Sequence, residues 1–212
     1  MDITWYGHSC FRITERGNIS IVTDPYSKQI GLEPPKLKAD VVTISHNAPG
    51  HNYLEEVKGY KYTLAGPGEY EFGGTFIYGV ALHDPGNGNP PHTNVGYVAH
   101  YNGLSVAHLG DLRHVPDQST IEAMGEVNVA LVPVGGGGAL KASEAAEVIA
   151  LIEPNYIVPM HYAIPGVKVD LDPVDKFLKE MGVSKVTEED MLRVSSTSMP
   201  EQSQVVVLLP QS

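Results

Sequence analysis

Histidine punctuates this chain where hydrophobic runs stop. His46 and His51 follow the run 39–45, His83 follows 75–82, His108 opens the HisLeuGlyAsp stretch that ends at Asp111, and His161 follows 156–160. Short apolar runs bounded by Gly, Pro and Asn read as buried strands. Side chains that leave the ends of neighbouring strands gather along one edge. Imidazole nitrogen and carboxylate oxygen are donors that zinc and iron take readily, and catalytic sites of this kind keep a position open for water. A single strand-end histidine is an ordinary hydrogen-bonded residue, and His100 and His114 are read that way. Four such endings on separate strands predict a shared metal pocket.

With 212 residues the chain is sized for one well-buried domain, 1–212, rather than two. Its 22 glycines and 16 prolines call for many loops. Lys and Arg number 14 against 25 Asp and Glu, and the resulting charge of −11 repels nucleic-acid phosphates, so the expected partner is a small-molecule substrate. Cys10 is the sole cysteine, which excludes an internal disulfide and a thiolate-rich zinc site. The first eight residues have neither a basic nor an apolar leader region, and no segment approaches the ~18 apolar residues of a membrane span. The expectation is a cytoplasmic protein with no membrane partner.

The first half alternates short β-type runs with turns: 3–6, 10–13, 19–23, 41–45, 60–64, 75–82, 95–100 and 105–108. The loop 84–91 is long enough to act as a lip over a site. Beyond residue 115 helices and strands alternate. Asp117 caps a helix that stops at Gly125, and a strand spans 127–134. Ser143 caps a second helix with Ala145, Val148, Ile149 and Ile152 on one face, followed by a strand at 156–160. Asp172 and Pro173 open a third helix, and 205–209 forms a last strand. The glycine run 135–138 lacks the Gly-Lys-Ser/Thr ending of a phosphate loop and reads as a strand-to-helix connection.

Several motifs in order carry a resemblance: residues 3–11 with GlyHisSer at their centre, ValThrAspPro at 22–25, SerHis at 45–46, HisAspPro at 83–85, HisLeuGlyAspLeu at 108–112, ValProValGlyGly at 132–136 and ProMetHisTyr at 159–162. Along nearly its whole length the chain resembles the metallo-β-lactamase superfamily, in the branch of small metal-dependent hydrolases that includes ascorbate-phosphate-lactonase-like proteins. The resemblance implies an α/β fold, a four-layer αββα sandwich with metals at one edge between two sheets. It also implies a His-x-His-x-Asp-His signature, whose first and last histidines match His46 and His51. Its middle histidine falls on Ala48 and its aspartate on Gly50. The later histidine matches His83, the bridging aspartate Asp111 and the final histidine His161.

On that footing one metal position keeps His46 and His83, and the other keeps His51, Asp111 and His161, a set suited to zinc or non-haem iron. The implied cofactor is zinc, one ion or two, with manganese or iron as substitutes. Gly50 removes the carboxylate that holds water in relatives, so Asp84, His8 and His92 are the candidates to stand in. His8 also reads as a spare ligand, Asp24 as the carboxylate that orients a metal-bound histidine, and His92 as a lower-ranked spare. The expected activity is hydrolysis of a small ester, lactone or phosphoester. The alternative is a binding or scaffold protein whose site no longer turns over. A non-haem iron oxidoreductase rests on the facial donor set alone, and a ribonuclease lacks a basic clamp.

Overall fold

The computed structural model describes residues 1–82, 93–186 and 188–212. Two sheets organise them. The first runs, in spatial order, Leu192–Arg193, Asp2–Trp5, Phe11–Thr14, Ile21–Thr23, Val41–Thr43 and Tyr62–Leu64. The second runs Gln204–Val205, Tyr156–Met160, Val129–Pro133, Leu104–His108, Val95–Tyr101, Thr75–Ala81 and Gly68–Phe72. Each sheet combines an antiparallel part, built from hairpins or meanders, with neighbouring parallel pairs, for which the chain needs long crossovers.

Alternation along the strands decides which side chains meet. Ile3, Trp5, Phe11, Ile13, Ile21 and Val41 turn toward the second sheet and join Ile77, Tyr97 and Val106 in one core. Three helices supply the crossovers and cover of the second sheet: α1 (Gln118–Met124), α2 (Ala142–Ile152) and α3 (Val174–Glu180). Helix α2 buries Ala145, Val148 and Ile149, the i, i+3, i+4 stripe of an amphipathic helix, and packs on α3 through its Phe177 and Leu178 face. Val22 and Val42 point to the opposite side of the first sheet. There they meet Ile30, Leu37, Ala39 and Val57, carried by a single 3-10 turn at Lys28–Ile30 and a two-stranded ladder of Leu37–Lys38 with Val57–Lys58. Among the described residues, the outer layer on this side is therefore that turn and ladder in place of a full helix.

Three boundaries differ from the sequence expectation, each for a local reason. Helix α2 begins at Ala142 with Lys141 as its cap, because the Glu144 carboxylate reaches back to the Lys141 N–H at 2.8 Å and Ser143 falls inside the first turn. Gly68–Phe72, hidden in sequence behind GlyProGly, adds an edge strand whose Phe72 ring packs at a tilt against Tyr62 of the first sheet, 4.6 Å between centroids. The last strand divides: Gln204–Val205 joins the second sheet, while Val207–Leu208 pairs with Glu188–Glu189.

A buried imidazole bridges the two sheets. His108, at the end of its strand, gives its Nε2–H to the Ser9 carbonyl at 2.8 Å and accepts the Gly110 N–H on Nδ1 at 3.3 Å. That pair of partners fits only the neutral ring. Burial lowers its pKa below the ordinary value, with the field of Asp24 and the Ser9 bond opposing. The unfolded chain thus takes up the proton first as pH falls, and stability falls with it. Unfolding by urea is expected to show wild-type stability declining from about pH 6.5 downward, with a shallower decline in His108→Gln, which keeps a donor but does not titrate; equal slopes would show that His108 contributes nothing.

Candidate metal centre

Several of the histidine- and aspartate-bearing strand ends lie together at one edge of the interface between the sheets. His8 lies in the connection after Asp2–Trp5, Asp24 just past Ile21–Thr23, Ser45, His46 and His51 past Val41–Thr43, Asp111 past Leu104–His108, and His161 past Tyr156–Met160. One donor atom from each of His8, His51 and His161 lies within 4.8 Å of the other two. Asp111 joins them, its Oδ1 3.5 Å from His161 Nε2, and its Oδ2 stands 3.9 Å from His46 Nε2. The His46 and His51 rings are 4.1 Å apart between centroids. His83, Asp84 and His92 lie outside the described residues.

Backbone geometry at these strand ends is unusual in a consistent way. His8, Asp24 and His161 have φ of 51°, 39° and 53°, a left-handed region that costs a non-glycine residue on the order of 1 kcal/mol or more. Their surroundings hold them there. The His8 carbonyl accepts both the Trp5 indole N–H at 3.1 Å and the His161 N–H at 3.0 Å, which ties two ring-bearing residues to one oxygen. The Asp111 loop turns at Gly110, with φ 59°, where an added Cβ would stand 2.4 Å from both Ser45 Cβ and Asn94 Oδ1. Asn94, fully buried, then accepts the Asp111 N–H at 2.9 Å and donates to the Leu109 carbonyl at 2.9 Å.

Hydrogen bonds set the face each imidazole presents. Asp24 accepts the Ser45 N–H at 2.7 Å, the Ser45 O–H at 2.6 Å and the His51 Nδ1–H at 2.8 Å. With its one proton given to Asp24, Ser45 Oγ is left to accept from His46 Nδ1 at 3.1 Å. In both histidines the network therefore places the proton on Nδ1 and the lone pair on Nε2. The Nδ1 atoms of His8 and His161 are buried with no hydrogen-bond partner among the described residues. Leaving a buried polar atom unpartnered costs about 1–3 kcal/mol, a penalty that a ligand would remove.

Burial keeps the cluster uncharged. His8 and His51 are held well below the usual imidazole pKa, first by loss of solvent, then for His8 by the rings of His161, His51 and His46, and for His51 by that of His46 against the opposing field of Asp111. His161 is lowered by burial too, against the opposing field of Asp111. For Asp111 burial acts upward, but the fields of His161, His51 and His46 and the Arg113 hydrogen bond at 3.2 Å prevail and its pKa is lowered. Neutral imidazoles around an ionised carboxylate form a donor set for a cation. Sequence reasoning missed Asn94 and Arg113. Arg113 follows the HisLeuGlyAsp motif closely enough to be suspected, whereas Asn94 carries no local signal.

Residues 2–161 match a family described as the beta-lactamase superfamily domain. The chain is 30% identical to a UPF0173 metal-dependent hydrolase of Methanoculleus marisnigri over 81% of its own length and 86% of that protein. It is 31% identical to a UPF0173 protein of Pyrococcus furiosus, over 85% and 90% respectively. A crystal structure from Thermotoga maritima, provisionally assigned as a Zn-dependent hydrolase of the metallo-β-lactamase superfamily, superposes with a TM-score of 0.80 at 36% identity, covering 98% of this chain and 97% of that one.

Removing Asp24 should be felt throughout the cluster. Asp24→Ala strands two Ser45 donors and the His51 N–H in a buried place, and is expected to destabilise the protein by about 3 kcal/mol or more. Chemical denaturation checks this, and a loss below 1 kcal/mol would show that the network bears little of the local stability.

Proposed function

The chain belongs to the metallo-β-lactamase superfamily, and from that membership and the geometry of its strand-end cluster we propose that it is a metal-dependent hydrolase working with one divalent cation. The observation that carries this reading is the buried, uncharged set of His8, His51 and His161 beside the ionised Asp111. Three nitrogens and a carboxylate suit zinc, with iron as the substitute and manganese less well served. His46 stands at the rim of this set, close to Asp111 but outside the mutual cluster, and the missing histidine at Ala48 leaves the second position short of donors.

When bound, a divalent cation supplies Lewis acidity and lowers the pKa of water that it polarises. The residues do the positioning. Asp24 fixes the His51 tautomer, Asn94 and Arg113 fix Asp111, and the His8 carbonyl fixes the His161 backbone. Asp111, ionised, can accept a hydrogen bond from a nucleophilic water and hold its orientation. A cavity of about 480 Å³ opens beside His46, lined by Ser45, Asn47, Asn52, Ile44 and Val95 among others. Among the described residues that lining carries amides, hydroxyls, the His46 imidazole and apolar carbon but no lysine or arginine. Together with the −11 net charge, it favours an uncharged ester or lactone over a phosphoester.

Protein purified without added metal, analysed by elemental mass spectrometry, is expected to hold about one equivalent of zinc or iron. His51→Ala and His161→Ala should each lose it, and wild type should hydrolyse simple lactones or carboxylic esters faster than phosphodiesters. Metal below about a tenth of an equivalent, unrecovered after incubation with zinc, iron and manganese, would overturn the reading in favour of a fold kept for binding.

A further inference from the structure

Gly66 is a glycine that the backbone does not require. Its φ lies outside the left-handed range, and a Cβ built on it meets no atom of the described residues within 4 Å. It precedes Pro67, a position that favours extended backbone open to any residue. Gly68, two residues on, differs in that its φ of 153° does favour glycine. What Gly66 has instead is a place on the wall of the cavity of about 480 Å³ beside His46. Ile44, Pro67 and Val95 give that cavity an apolar side, and Asn47 and Asn52 a polar one.

The wall is held against retreat. The Gly66 carbonyl accepts the Tyr70 O–H at 3.1 Å and stands 3.4 Å from the Tyr97 hydroxyl, which also reaches the Ile44 carbonyl at 3.3 Å. Behind it, a Cβ at Gly79 would stand 2.8 Å from the Gly66 oxygen, so the second sheet already lies close against the loop. The facing side is tied as well, with the Ile44 N–H on the Leu64 carbonyl at 2.8 Å and the Val95 N–H on the Ser45 carbonyl at 2.9 Å. Bulk added at position 66 therefore narrows the space in front of the wall.

We infer that Gly66 determines specificity: its missing side chain admits an apolar ring or branched group next to the reacting carbonyl. The substrates are then esters or lactones that carry such a group, rather than the smallest members of the class. The inference rests on the hydrolase reading above and adds to it which part of the substrate the cavity selects. His46, 3.9 Å from Asp111, marks the end of the cavity nearest the cluster. A carbonyl placed there leaves its neighbouring substituent along the Gly66–Pro67 wall. The amides of Asn47 and Asn52 suit the polar oxygens of such a molecule, and the opposite side suits its carbon.

Two ketones that hydrolysis cannot open, cyclopentanone and 2-phenylcyclopentanone, test the wall without turnover. Calorimetric titration of the purified protein is expected to show the phenyl ketone bound at least tenfold more tightly, on the order of what a filled apolar pocket confers. Gly66→Val should abolish that preference while thermal unfolding and bound metal stay as in wild type. Gly66→Ala should lose part of it, and serves should the valine form fold poorly. With the matching lactones, the ratio of kcat/KM for α-phenyl-γ-butyrolactone to that for γ-butyrolactone should fall about tenfold in Gly66→Val. If wild type shows no preference for the phenyl ketone, or folded Gly66→Ala and Gly66→Val retain it in full, the inference is overturned, and lactone turnover with bound metal still supports the hydrolase reading. If the preference is present and lost in the variants while wild type opens no ester or lactone, the hydrolase reading falls and Gly66 stands as the selecting wall of a binding site.

Discussion

One buried carboxylate organises the edge at which this protein presents its chemistry. Asp24 is fully enclosed and accepts three hydrogen bonds from two residues of a single loop, Ser45 and His51. Burial raises its pKa, and the field of His108 and the Ser45 hydrogen bonds pull it back. A carboxylate out of water is tolerated only where its lone pairs are satisfied. The loop that satisfies them is the one that carries His46 and His51. Its shape is thus set by the needs of an acid on the neighbouring strand, and the two imidazoles inherit their orientation from that need.

The same economy recurs across the interface between the sheets. His108 reaches from one sheet to the Ser9 carbonyl of the other, and the residue beside Ser9 supplies the ring that meets His51 and His161. Asn94 joins the start of one strand to the turn after another and so fixes Asp111. Polar groups buried at the edge of a two-sheet core pair across it because water cannot reach them. The hydrogen bonds that hold the sheets in register are therefore also those that aim the cluster.

Sequence alone carries the architecture and much of this site, for physical reasons that differ by element. Strand ends at His46, Asp111 and His161 were legible because apolar runs of strand length stop there, and the helix at 118–124 was legible because Asp117 and Gly125 are local signals. The cap was misplaced at Ser143 because the Glu144 carboxylate, three residues after Lys141, accepts the Lys141 N–H and starts the helix two residues earlier. Asn94 was invisible, because its partners are 15 and 17 residues away and nothing in its neighbours announces them. His8 was readable as a spare histidine. The open wall at Gly66 was not readable, since only coordinates reveal that a missing side chain borders a cavity.

The final stretch of described chain has an outsized reach. Leu192–Arg193 flanks Asp2–Trp5 in the first sheet, Gln204–Val205 flanks Tyr156–Met160 in the second, and the Val207–Leu208 ladder closes on Glu188–Glu189. Both sheets thus have an outermost member drawn from the same short segment. On a ribosome Asp2–Trp5 must wait with one side bare until Leu192–Arg193, about 190 residues later, has been made. Such long-range pairing lengthens the search for the native state, and during that interval the bare strand is the place where a chaperone or a misdirected neighbour would first take hold.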